Sequence, residues 1–299
     1  MKKYQKLIAL VLVLIFIMQI PASALSNFNA KVSVDEIANN RIIIKYHSQK
    51  AKSEMESKNK KLPKAKSKKS YNNQLIDVIE LSSNDIKDKY LEFYNSENKN
   101  VEYAVKDELL ISYGGTSTEI NDAIEKLHID NSYQYGTGED VLVGVLDTGI
   151  NYHHKALKGV IDNRGYDFAN DNSSYYDFTD DESHGTAVAG IIASQDSKYI
   201  GASPNVKILP LKFMINGKGY TSDAIEAIEY ANSLGVKVIN CSFGSTEYNY
   251  PLKEVMEKSN IVFVCASGNN ETVYPAGYNS LPNVISVGAV DSTNVPSMF

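Results

Sequence analysis

The stretch VLVGVLDTGI, residues 141–150, runs six apolar or glycine positions straight into a carboxylate. A short run without polar interruption is the pattern of a strand buried on both faces of a parallel sheet. Asp147 then stands where that strand should end. In open α/β sheets, ligands gather outside the carboxyl ends of the strands, so Asp147 is a candidate for chemistry. A lone strand-end aspartate is more often a turn cap. Its neighbours decide between the two readings.

Outward from this stretch, from about residue 120, strands alternate with helices. SHGTAVAG (183–190) opens a helix at His184, one of only five histidines, beside Gly185, Thr186, Ala187 and Gly190. Side chains that small allow a helix to lie flat on a sheet, and a histidine there is a candidate general base in want of an orienting carboxylate. VKILPLKFM (206–214) reads as a strand and TSDAIEAIEYANSLG (221–235) as a helix. In that helix Ile225, Ile228, Ala231 and Leu234 form one stripe, and Gly235 is the stop signal. VKVINCSF (236–243), NIVFVCAS (260–267) and NVISVGAV (283–290) read as further strands. The predicted fold class is therefore α/β, a doubly wound and mainly parallel sheet. Ser242, Phe243 and Gly244 close one strand, and Gly268 and Asn269 the next. Cys241 and Cys265 lie within apolar runs and read as buried thiols. No His or Cys cluster has zinc spacing, so no metal is expected.

Upstream, residues 31–110 have a different rhythm and predict a small α+β domain. RIIIKYH (41–47), LIDVIEL (75–81) and VEYAVKDELL (101–110) read as strands. SNDIKDKYLEFYN (83–95) reads as a helix opened by Ser83, with Ile86, Tyr90 and Phe93 on one face. The lysine-rich segment 50–69 lacks apolar periodicity and is expected to be a mobile, solvated loop. DNSSYYDFTDDE (171–182) is acidic. Lys2, Lys3 and Lys6, an apolar run over 7–18 and the small residues 22–24 form an export signal. That run is shorter than the ~20 residues of a membrane span, so the chain is expected to be secreted. The divisions are then 1–24 signal peptide, 25–120 small domain and 121–299 main domain. A net charge of −6 gives no support to a nucleic-acid partner.

VLVGVLDTGI, SHGTAVAG, VINCSFG and VCASGNN, in this order, resemble the aspartate, histidine, substrate-strand and oxyanion blocks of the subtilisin-like serine proteases. The resemblance covers residues from about 130 to 299 and implies peptide-bond hydrolysis by an Asp-His-Ser triad. It gives Asp147 the orienting role, His184 the proton transfer and Asn269 the oxyanion contact. Gly217, Gly219, Tyr220, Ser242, Phe243, Gly244 and Gly268 would line a cleft for an extended peptide or protein substrate. The small domain resembles the family's propeptide, an intramolecular chaperone and inhibitor whose tail enters the active site. No cofactor is needed for this chemistry. The usual calcium site is not expected, because HHKAL places Ala156 where the family has an aspartate.

The pattern breaks at the nucleophile. The family carries it in a GTSMAxP block several dozen residues past the oxyanion asparagine, whereas 30 residues follow Asn269 here. Ser280, Ser286, Ser292 and Ser297 lie in that stretch, none in a Gly-Thr-Ser context. The expectation is a precursor that is inactive alone, with bare apolar sheet surface and a second polypeptide to complete it. The alternative is a non-catalytic peptide-binding pseudoprotease.

Overall fold

The structure, a computed structural model, describes residues 40–112, 127–170, 180, 183–245, 248–269, 280–290 and 294–296. The segment read as an export signal lies outside them. Two compact units form, one of Lys31–Glu108 and one that includes Leu109–Phe299. The boundary thus falls at Glu108, earlier than the expected residue 120.

In the smaller unit, β1 (Arg41–Tyr46), β2 (Ser67–Tyr71), β3 (Ile76–Glu80) and β4 (Val101–Lys106) form a sheet of order β2-β3-β1-β4. Their pairings are antiparallel. Helices α1 (Gln49–Lys58) and α2 (Asn84–Asn95) are opened by Ser48 and Ser83, whose hydroxyls accept from the Ala51 and Ile86 amides. Helix α2 buries Tyr90 and Tyr94 and leaves Ile86 and Phe93 partly buried, a face turned slightly from the predicted one.

Residues 50–69 are not a mobile loop, because α1 and β2 occupy most of them. Met55 is fully buried in the core. Lys52 and Lys68 converge on fully buried Asp77, at 2.7 and 2.8 Å. Ser70 and Tyr46 hydroxyls complete that carboxylate's shell at 2.6 and 3.0 Å. The predicted strand 101–110 also divides, because β4 ends at Lys106 and β5 (Leu109–Ser112) belongs to another sheet. Between them Asp107 is buried on Arg41 Nε at 3.0 Å.

In the larger unit, the strands are β6 (Leu142–Asp147), β7 (Tyr166–Asp167), β8 (Lys207–Lys212), β9 (Lys218–Tyr220), β10 (Val238–Cys241), β11 (Phe243–Gly244), β12 (Val262–Ala266) and β13 (Val284–Val287). The helices are α3 (His184–Ala193), α4 (Thr221–Ser233) and α5 (Tyr250–Lys258). Six strands pair in parallel in the order β13-β12-β10-β6-β8-β7. Alternate side chains leave β6 on opposite faces. Val143 and Val145 pack with Val188, Ala189 and Ile192 of α3. On the other face Ile228 of α4 and Leu252 and Met256 of α5 close over Cys241 and Cys265. Those two cysteines are register partners, free and buried, and burial pushes the Cys241 thiol well up. Helices on both faces of a parallel sheet make the doubly wound α/β fold that the alternation implied.

The strand order reverses at β6, with β8 on one side and β10 on the other. Such a reversal opens a crevice at the carboxyl end of the strand, where Asp147 lies. Beside this sheet a second one forms, antiparallel and three-stranded, of order β11-β5-β9. Among the described residues no helix is long and apolar enough to cross a membrane.

Candidate active site

Asp147 is almost fully buried and holds His184 Nδ1 at 2.6 Å from its Oδ1. The same Oδ1 accepts the Thr148 amide at 2.7 Å. A bond this short has the length of a charge-assisted one. With Nδ1 turned to the carboxylate, Nε2 is the ring nitrogen directed away from it. The His184 side chain keeps 18% of its surface exposed against 1% for Asp147, so the imidazole is the half of the pair that solutes reach.

Local backbone geometry makes this contact. Ser183 adopts φ 66°, a left-handed conformation, immediately before α3 begins. A β-carbon on Gly185 would lie 2.0 Å from the Gly149 carbonyl oxygen and 3.2 Å from Asp147 Oδ1. Glycine at 185 therefore lets the first turn of α3 touch the end of β6. The other small residues differ in role. Nothing lies within 4 Å of a β-carbon at Gly190, and Ala187 faces outward. The packing face is Gly185, Val188, Ala189 and Ile192.

A second carboxylate, which the sequence reading passed over, braces the same turn. Asp180 Oδ1 lies 2.9 Å from Thr148 Oγ1, and its Oδ2 accepts the Thr186 amide at 2.8 Å. Thr148 Oγ1 in turn accepts the Gly185 amide at 3.0 Å. Strand end and helix start are thus joined through one hydroxyl. The signal lay in the acidic segment 171–182, where composition does not distinguish Asp180 from its neighbours.

The small sheet places most of the expected cleft residues. Strand β5 runs between the two edges: Leu109, Leu110 and Ile111 oppose Tyr220, Gly219 and Lys218. On the other side, Ile111 and Ser112 oppose Gly244 and Phe243. The Ser112 amide donates to the Gly217 carbonyl at 2.9 Å, and Leu110 is fully buried. At Gly219 a β-carbon would lie 2.4 Å from the Phe213 carbonyl oxygen, so glycine permits that close approach. Edge β9 springs from a two-residue turn, Asn216 (φ 51°) and Gly217 (φ 65°), closed by mutual bonds of Ile215 and Lys218. Asn-Gly is the strongest short signal for such a hairpin, and the sequence reading passed over it.

The other expected residues lie outside the small sheet. Ser242 is buried between β10 and β11, where its Oγ accepts from Asn240 Nδ2 at 2.8 Å. Gly268 (φ 108°) and half-buried Asn269 follow β12, two strands from β6. Ser286 lies on β13, three strands from β6. At about 4.8 Å per strand its backbone is roughly 14 Å from that of Asp147, too far to serve His184. Ser292 and Ser297 lie outside the described residues. Ala156 lies in a 3₁₀ turn, Lys155–Leu157. Among the described residues, no three His, Cys, Asp or Glu side chains gather to hold a metal ion.

Comparison with known proteins shows the family of the larger unit. The family model described as the subtilase family, Peptidase_S8, matches residues 138–299, more than half of the chain. Subtilisin DY of Bacillus licheniformis is 39% identical over 175 residues, 54% of this chain and 61% of that protein. Fervidolysin of Fervidobacterium pennivorans is 36% identical over 177 residues, 53% of this chain and 25% of that one. The chain thus spans between a quarter and three fifths of these relatives' length. The crystal structure of fervidolysin, a keratinolytic enzyme related to subtilisin, covers 84% of this chain and 43% of its own at a TM-score of 0.64 and 23% identity. The epidermin leader peptide processing serine protease of Staphylococcus aureus covers 87% and 71% at a TM-score of 0.65 and 17% identity. At those identities the two structures speak for the fold alone.

Proposed function

The chain belongs to the subtilase family, and from that premise we propose that it is the precursor of a secreted serine endopeptidase. The observation that carries the reading is the 2.6 Å contact of His184 Nδ1 with Asp147 at the reversal of the sheet. Asp147 fixes the tautomer and stabilises the imidazolium that forms during reaction. His184 Nε2 takes the proton of an attacking serine and returns it to the leaving amine. Asn269 would offer its side-chain amide to the oxyanion, a contact of the kind worth ~10²–10³ in turnover; that magnitude comes from a subtilisin. The edges of β9 and β11 would hold an extended peptide by strand addition.

The substrate class is extended peptide or unfolded protein, with an aliphatic residue at the place of fully buried Leu110. In the precursor that place is taken by the chain's own β5, the segment that directly follows the smaller unit, and this supports an intramolecular propeptide role for that unit. The nucleophile would come from a subtilase Gly-Thr-Ser block of the kind the family resemblance implies, and the 299 residues assayed without one should be inactive. The signal-like residues 1–24 support secretion.

Fluorophosphonate labelling tests this. The 299-residue chain alone should remain unlabelled. Mixed with a polypeptide carrying a subtilase Gly-Thr-Ser block, it should be labelled, and His184→Ala should slow that labelling by about 10⁶-fold, the loss known for a subtilisin histidine. Labelling of the chain alone would overturn the inactivity. Labelling indifferent to His184 would overturn the triad, and peptide binding without labelling in any mixture would favour a pseudoprotease.

A further inference from the structure

We propose that Lys218 selects an acidic side chain in the peptide that occupies the cleft, so that substrates with glutamate or aspartate at the place of Ile111 are preferred. This rests on the reading of the β5 position as the peptide site.

Lys218 Nζ is buried and has no hydrogen-bond partner among the described residues. That is a costly state for an ammonium, because a charge withdrawn from water needs a counter-charge or a full set of acceptors. Lysines usually avoid it by extending the stem until the head reaches solvent. Lys218 is instead held in a strand whose position is fixed on both sides. The tight Asn216-Gly217 turn precedes it, and its own amide and carbonyl close that turn on Ile215.

The register states which peptide position this ammonium serves. Directly opposed residues of an antiparallel pair project from the same face, with β-carbons about 4.5–5.5 Å apart. Lys218 opposes Ile111, and from the other side Ile111 is opposed by Gly244, which has no side chain. The side chain at position 111 therefore has a lysine as its register partner on one flank and a glycine on the other. An opposed pair of unlike charge stabilises a strand pairing, and here it would also satisfy the buried donor. Isoleucine does neither. The chain's own segment holds the cleft through backbone bonds and Leu110 but leaves the charge unmatched, so an acidic peptide would displace it with advantage.

Amide hydrogen exchange on the full 299-residue chain tests the proposal, with the Ser112 amide reporting β5 and the Val264 amide reporting the main sheet. Ile111→Glu should be protected at Ser112 on the order of tenfold more than Ile111→Gln, the scale of a hydrogen bond to a charged group. In the Lys218→Met background that ratio should fall to about one. Equal protection of the Glu and Gln variants in both backgrounds, with Ser112 still protected, would overturn the role of Lys218. A Ser112 amide that exchanges like free peptide in the parent chain would instead overturn the cleft reading. If a Glu variant loses protection at Val264, Ile111→Asp against Ile111→Asn gives the same comparison with less bulk.

Discussion

At Gly185 and Gly190 the same residue type meets two different environments within one helix. Gly185 has the Gly149 carbonyl where a side chain would go, whereas Gly190 has open space. Gly185→Ala should therefore cost about 1–3 kcal/mol through overpacking and separate His184 from Asp147. Gly190→Ala should be neutral or stabilise by up to about 1 kcal/mol, since alanine is the better helix former. Thermal unfolding of the two variants checks the contrast, and equal losses would contradict it. The sequence alone led to Asp147 and His184 because a strand-end carboxylate and a helix-opening histidine stand out in type and position. Thr148 and Asp180 did not stand out, because joining strand end to helix start is a property of contact in space.

Helix α1 and strand β2 were hidden by their lysines, which read as a solvated run until Asp77 is seen beneath them. Burial alone would raise the Asp77 carboxyl, but hydrogen bonds from Lys52, Lys68 and Ser70 outweigh it and hold the group below the usual aspartate range. A depressed folded value means that the stabilisation is complete above the unfolded value of ~3.9 and is lost as pH falls through the lower folded value. Asp77→Asn should destabilise the smaller unit by about 3–5 kcal/mol, because Lys52 is left buried without its counter-charge. It should also flatten the acid side of the stability profile between about pH 5 and pH 2. Denaturant midpoints across that range, for parent and variant, measure both effects. The division of 101–110 was equally hidden, because apolar residues recur through β4 and β5 alike and only the strands' partners differ. The helices α2 and α4, with clear stripes and caps, were legible almost to the residue.

Over the whole molecule, the decisive arrangement is the reversal of strand order at β6 beside a three-stranded sheet whose centre is the chain's own β5. The alternation of strands and helices told the fold class. Which segment fills the cleft is a matter of pairing between residues about a hundred apart, and that pairing is not written in any local pattern. If Leu110 anchors β5, Leu110→Ala should loosen that strand by about 2 kcal/mol or more, which is roughly thirtyfold faster exchange at the Ser112 amide. Protection at Val145 and Val264 should be unchanged. Simultaneous loss at all three would mean that β5 belongs to the main core and is no separable occupant.

Proton transfer at this site depends most on how the imidazole of His184 carries its proton, and nitrogen-15 NMR of the parent chain in alkaline buffer reads that directly. The prediction is a proton on Nδ1, donated to Asp147, with a bare Nε2, and loss of that preference in Asp147→Ala. A proton on Nε2, or an even mixture of tautomers unaffected by the Asp147 variant, would contradict it.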